Sequence, residues 1–132
     1  MILIDTTLLI DLQRSSRNPR RQDAESWLGQ NPNEVLTIPV TVLGEFAEGF
    51  AQRDDPSLLR FWVGYQIVPI DADIALRYGE LSRRLRESGQ NIGANDMWIA
   101  ATAVELGLPL LTRNVGHFGR VPELEVLTYG RE

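Results

Sequence analysis

The side chains able to do chemistry in this chain are few, and most are acids. Asp5 directly follows the apolar run Ile2-Leu3-Ile4, and Asp96 opens the segment Asp96-Met97-Trp98-Ile99-Ala100-Ala101. Thr112-Arg113-Asn114 follows Leu110-Leu111, and Glu45 lies inside Val42-Leu43-Gly44-Glu45-Phe46. The chain has no Cys, one His (His117) and 13 basic residues, none of them Lys. It therefore has no thiolate, disulfide, zinc ribbon or iron–sulfur site, and no Schiff-base or P-loop lysine. Carboxylates, hydroxyls and amides favour a hard, oxygen-ligated cation such as Mg²⁺ or Mn²⁺.

Each acid has a plain alternative reading. Asp5-Thr6-Thr7 has the composition of a helix N-terminus, so Asp5 reads equally as a cap and as a site residue. Asp96 begins a helix that is apolar almost all round. Ala100 and Ala103 share its side of the wheel, which leaves room in front of the carboxylate. Glu45 falls about 140° from the centre of its helix's apolar face, so periodicity alone makes it a solvated surface residue. His117 reads as a turn or packing residue, with no second base beside it. Trp27, Trp62 and Trp98 read as core or interface residues.

Short apolar runs at 1–4, 35–38, 66–70, 109–112 and 125–128 read as strands. Helical periods cover 8–12, a stretch through Ala24, Trp27 and Leu28, 41–51, 58–63, 71–88 and 96–106. Residues 13–21, with Arg14, Arg17, Arg20 and Arg21, read as a loop. Strands alternating with helices imply βαβ units and a mainly parallel sheet, and so a three-layer α/β/α sandwich in a single domain over residues 1–132. Ligand sites in such sheets lie beyond the carboxyl ends of the strands. If the first and fourth strands are neighbours, Asp5, Thr112 and Asn114 meet at one mouth.

The net charge of -5 argues against binding nucleic acid by bulk attraction, though not against a local Arg patch. The opening MILIDTTLLIDL lacks a basic leader and is broken by Asp5 and Asp11, so it does not read as a signal peptide. No apolar stretch is long enough for a membrane span, and the cytoplasm is the expected location.

Four blocks together resemble the PIN-domain family, and within it the VapC-type toxins of bacterial toxin–antitoxin pairs. They are Ile2-Leu3-Ile4-Asp5-Thr6, Val42-Leu43-Gly44-Glu45-Phe46, Ile92-Gly93-Ala94-Asn95-Asp96-Met97-Trp98-Ile99-Ala100-Ala101 and Leu111-Thr112-Arg113-Asn114-Val115-Gly116-His117-Phe118. The resemblance implies a Mg²⁺- or Mn²⁺-dependent endoribonuclease, a homodimer, and a VapB-like antitoxin as inhibitor. It maps the catalytic acids to Asp5, Glu45 and Asp96, which would hold the metal, and so replaces the surface reading of Glu45. Asn114 takes the fourth catalytic position, where the family often has Asp, and His117 stands where an acid is common. An amide adds no charge, so one well-occupied ion is expected before RNA arrives. Thr6, Asn95 and Thr112 would hydrogen-bond the ligands, and Arg113 with Arg14, Arg17, Arg20 and Arg21 would meet RNA phosphates.

Three rivals remain in view. A receiver-type phosphorylation module resembles families that need a Lys, which is absent here. A haloacid-dehalogenase-like phosphatase would want Asp at position 7, where this chain has Thr7. A PIN-fold protein with weakened catalysis, acting mainly as an antitoxin- or RNA-binding module, is the alternative that Asn114 leaves open.

Overall fold

Parallel strands cannot be joined by a tight turn, so their connections carry helices. The computed structural model describes residues 1–130. Its strands are β1 (Ile2–Ile4), β2 (Leu36–Pro39), β3 (Gln66–Val68), β4 (Leu110–Leu111) and β5 (Val126–Leu127). They form one sheet in the order β3-β2-β1-β4-β5, with every adjacent pair parallel. Helices α1 (Thr6–Leu12) and α2 (Pro19–Gln30) link β1 to β2. Helices α3 (Val40–Ala47) and α4 (Pro56–Val63) link β2 to β3. Helices α5 (Ala72–Glu87) and α6 (Ala94–Leu106) link β3 to β4, and the short α7 (Val115–Phe118) precedes β5. The architecture is the α/β/α sandwich that the alternation of elements implies.

Central strands covered on both faces must be apolar throughout. Leu3, Ile4, Ile38, Leu110 and Leu111 are all buried, and Phe118 of α7 closes the same core. Each such side chain contributes about 1.5–3 kcal/mol relative to exposure. Helix α6 is buried along Met97, Ile99, Ala100, Ala101 and Ala103. It packs on α5, where Trp98 stacks on Tyr78 with ring centroids 4.0 Å apart.

Four local expectations are corrected. The loop expected over 13–21 ends at Asn18, whose Oδ1 accepts the Arg20 N–H at 2.9 Å. Pro19 then starts α2, because its fixed φ and missing N–H suit a first helical position. Arg20 and Arg21 thus lie in a helix, while Arg14 and Arg17 stay in the connection. The helix expected over 41–51 stops at Ala47. Helix α6 starts at Ala94 after Gly93 (φ 90°), so Asp96 is its third residue and not its cap. Finally, α7 carries too few residues to show a helical period.

The strand order is what positions the site. The chain builds outward from β1 through β2 to β3, then returns to place β4 on the other side of β1. The order therefore reverses between β1 and β4, at the crevice where such sheets bind ligands. Asp5 follows β1 there and Thr112 follows β4.

Candidate active site

Asp5 caps a helix and also lies at the mouth between β1 and β4. It is the N-cap of α1, and its side chain accepts from the Thr7 N–H at 3.2 Å. The same Oδ1 accepts the Thr7 hydroxyl at 2.7 Å, and Oδ2 accepts the Thr112 hydroxyl at 2.6 Å. Thr112 is fully buried, and its Oγ1 also accepts the Asn114 N–H at 3.0 Å. One hydroxyl therefore joins the ends of β1 and β4 and shapes the turn into α7.

Glu45 reaches the same region from α3. The Thr6 hydroxyl donates to its Oε2 at 3.2 Å, while Oε1 is buried with no hydrogen-bond partner. Asp96 arrives from the first turn of α6, where the helix dipole favours a negative charge. Its Oδ2 lies 2.8 Å from His117 Nδ1, and the Asn114 amide nitrogen contacts that ring nitrogen at 3.2 Å. A carboxylate can only accept, so Nδ1 carries the proton in the Asp96 contact. Asn95 is exposed, and its amide bonds none of these groups.

The three acids feel one another. Burial raises the Asp5 carboxyl above its usual range against hydrogen bonds from Thr112, Thr7 and the Leu8 backbone, and the charge of Asp96 raises it further. Burial likewise raises Glu45, opposed by Thr6 and reinforced by Asp96 and Asp5. Burial raises Asp96, while His117 pulls it back. Among the described residues no three acid or His side chains are already closed into a chelating group. The orphaned Glu45 Oε1 nonetheless fits a cation, because a buried oxygen without a donor is a ligand waiting for positive charge.

A family comparison settles the lineage. The PIN-domain profile matches residues 2–124, nearly the whole chain. The chain belongs to the PIN-domain family. Within it, the chain is similar to proteins of the VapC group. Ribonuclease VapC1 of Methanocaldococcus jannaschii is 30% identical over 98% of this chain and 88% of that protein. The solved structure of VapBC-1 from nontypeable Haemophilus influenzae is 28% identical, with a TM-score of 0.78 and 98% of each chain covered. A toxin–antitoxin complex from Klebsiella pneumoniae is 26% identical, with a TM-score of 0.75 and all of both chains covered.

Beside its acids this PIN domain holds a second polar group that sequence reasoning missed. Asp11, in the last turn of α1, is fully buried. It accepts from Arg14 Nε at 2.8 Å, Arg113 Nε at 2.9 Å and the Tyr129 hydroxyl at 2.7 Å. Burial pushes its carboxyl up, but Arg14, Tyr129 and Arg113 outweigh that and hold it below the usual range. Arg113, expected to meet phosphate, pairs with the buried Asp11. Arg21 pairs with Glu25 and donates to the Arg14 carbonyl at 2.8 Å, while Arg17 and Arg20 have no acid partner among the described residues. The signal for Asp11 was present, since an acid inside Leu8-Leu9-Ile10-Asp11-Leu12 interrupts an apolar stripe. Nothing local pointed to Thr7 or Tyr129, and for His117 the resemblance marked the position but no role.

The shifts fix the sign of a pH effect. A carboxyl raised on folding adds stability below its unfolded pKa of about 4, and that stability is lost as pH rises through the folded value. Asp5, Glu45 and Asp96 should therefore weaken the metal-free fold as pH rises above about 4. Asp11, with the opposite shift, should act only at the acid end. Adding Mn²⁺ should raise the melting temperature at neutral pH and have little effect near pH 4, and Glu45→Gln should shrink that difference. An equal Mn²⁺ response at both ends would show that these carboxylates are not the binding groups.

Proposed function

We propose that this PIN domain is a divalent-cation-dependent endoribonuclease of the VapC type, restrained by a cognate antitoxin. What supports the reading is the mutual charge influence of Asp5, Glu45 and Asp96 beside the β1–β4 switch point, with one Glu45 oxygen buried and unpaired. Clustered carboxylates repel one another, and a hard cation relieves that repulsion. Bound Mg²⁺ or Mn²⁺ would acidify an attacking water and stabilise charge on the phosphoryl oxygens. Asp5 and Asp96 are the direct ligands in this reading, and Asn114 supplies an amide without charge. Thr112 and Thr7 fix the two oxygens of Asp5. Thr6 holds Glu45 by one oxygen, and the other would face the cation, directly or through its bound water. Asn95 is exposed at the start of α6 and would act only toward a bound ligand. The names of the relatives support the reading: one is called a ribonuclease, another a toxin–antitoxin complex. A catalytically weakened binding module is not favoured, because all three acids are present.

The test is an RNA cleavage assay with purified protein. Cleavage that needs Mg²⁺ or Mn²⁺, stops on chelation and is lost in Asp96→Asn supports the reading. No cleavage of any single-stranded RNA under those conditions refutes it. The reading includes a homodimer, measurable by sedimentation, and action in the cytoplasm. Among the described residues no helix is long and apolar enough to cross a membrane.

The antitoxin would dock on α3 and α4. Phe46 and Phe61 stack at 3.7 Å between centroids, so they are already packed within the chain, and Leu58 is buried. Leu43, Ala47, Arg53, Leu59 and Trp62 line a depression of about 380 Å³, with Trp62 still 38% exposed. An amphipathic segment laid in such a groove gains mainly from its apolar anchors. Trp62→Ala should weaken antitoxin binding by about 2 kcal/mol, roughly 30-fold, by calorimetry. Unchanged affinity would move the docking surface elsewhere.

A further inference from the structure

We infer that Asp11 is a positioning residue that holds the Arg14 and Arg113 guanidiniums as one pre-formed fork for an RNA phosphate beside the acid cleft. The inference rests on the ribonuclease reading and deepens it.

The fork follows from what each group of the cluster has left to give. Asp11 sits on the buried stripe of α1 with Leu8 and is 0% exposed. Its Oδ1 takes the Nε–H of Arg14, and its Oδ2 takes the Nε–H of Arg113 and the Tyr129 hydroxyl. Two guanidiniums on one carboxylate leave one net positive charge. Tyr129 adds a neutral donor, so it satisfies Asp11 without cancelling that charge. Each Arg bonds Asp11 through Nε and Arg113 also bonds Tyr129, which still leaves terminal N–H groups to present to a ligand. The acid is hidden, while the Arg14 and Arg113 side chains are 33% and 17% exposed. The surface therefore meets cations and not the acid that orients them. Guanidiniums held in place lose little freedom on binding a phosphate oxygen pair.

The fork is tied to the cleft. The Arg113 N–H lies 3.4 Å from Thr7 Oγ1, which donates to Asp5 at 2.7 Å. Arg113 also stands between Thr112 and Asn114 in the chain. Asp11 is six residues beyond Asp5, about 9 Å along α1 at 1.5 Å per residue. That offset suits a phosphate flanking the scissile one. The acids repel RNA and the fork attracts it, which supplies the local Arg patch that an acidic chain needs.

The test sets position against charge. Asp11→Asn removes a negative charge, so simple electrostatics predicts tighter RNA binding. Arg113→Lys keeps the charge but loses the planar fork, so simple electrostatics predicts no change. The fork predicts that both raise KM for a single-stranded RNA oligonucleotide, by about 10-fold, with kcat changed far less, because contacts remote from the reacting bond act on binding. Binding measured in the Asp96→Asn background should weaken alike and show a shallower salt dependence. Thermal melts identify any variant that has not folded. If Asp11→Asn fails to fold, Arg113→Lys and Arg14→Lys carry the test. Tighter binding by Asp11→Asn, or parental KM in Arg113→Lys, overturns the fork while parental cleavage leaves the ribonuclease reading standing. A parent that neither binds nor cleaves RNA overturns both.

Discussion

Asp96→Asn will cut RNA cleavage by on the order of 10²–10³-fold, the usual loss when one group that stabilises transition-state charge is removed. The substitution is nearly isosteric and sits in the first turn of α6. An Asn amide oxygen can still accept the proton that His117 Nδ1 directs at Asp96 across 2.8 Å. Packing is therefore preserved, and what disappears is one of three negative charges. Cation affinity should fall with it, by calorimetric titration of Mn²⁺ into free protein, where the parent should show one site. RNA affinity should not fall, since Asp96 orients neither Arg14 nor Arg113 and losing its charge only lessens the repulsion of phosphate. Cleavage at the parental rate, with contaminating nuclease excluded, would remove Asp96 from the catalytic set.

Thr112→Val will have the largest effect of any single non-acidic change at the site. Valine matches threonine in shape, so the core around this buried position stays filled. The hydroxyl's two bonds, to Asp5 Oδ2 and from the Asn114 N–H, are both lost. A buried carboxylate deprived of a donor costs about 1–3 kcal/mol or more. The melting temperature should drop by several degrees. The Asp5 carboxyl should also rise further, because Thr112 is the strongest of the groups that lower it. At fixed Mn²⁺, activity should then need a higher pH than in the parent. Thr112→Ser, which keeps the hydroxyl, should restore most of both properties. A Thr112→Val protein with the parental pH profile would show that Asp5 is held by other means.

The linear pattern alone determined the layered architecture. Runs such as Ile2-Leu3-Ile4 and Leu110-Leu111 are apolar at consecutive positions because central parallel strands are covered on both faces. Their alternation with helical periods follows from the crossovers that parallel pairing demands. It also placed Asp5 and the Thr112-Arg113-Asn114 segment at strand ends, where short-range geometry puts a site. Periodicity could not place Glu45, because a helix wheel separates core from everything else, and a cleft wall and open solvent look the same to it. The family resemblance named Glu45; the fold shows its oxygen held by Thr6, 39 residues away. The Asp11 cluster was beyond local reading for a related reason. An acid in an apolar stripe announces that a partner must exist, but not which one. Arg113 and Tyr129 lie 102 and 118 residues further along the chain. Only the reversal of strand order between β1 and β4, a property of the whole sheet, brings those partners to α1.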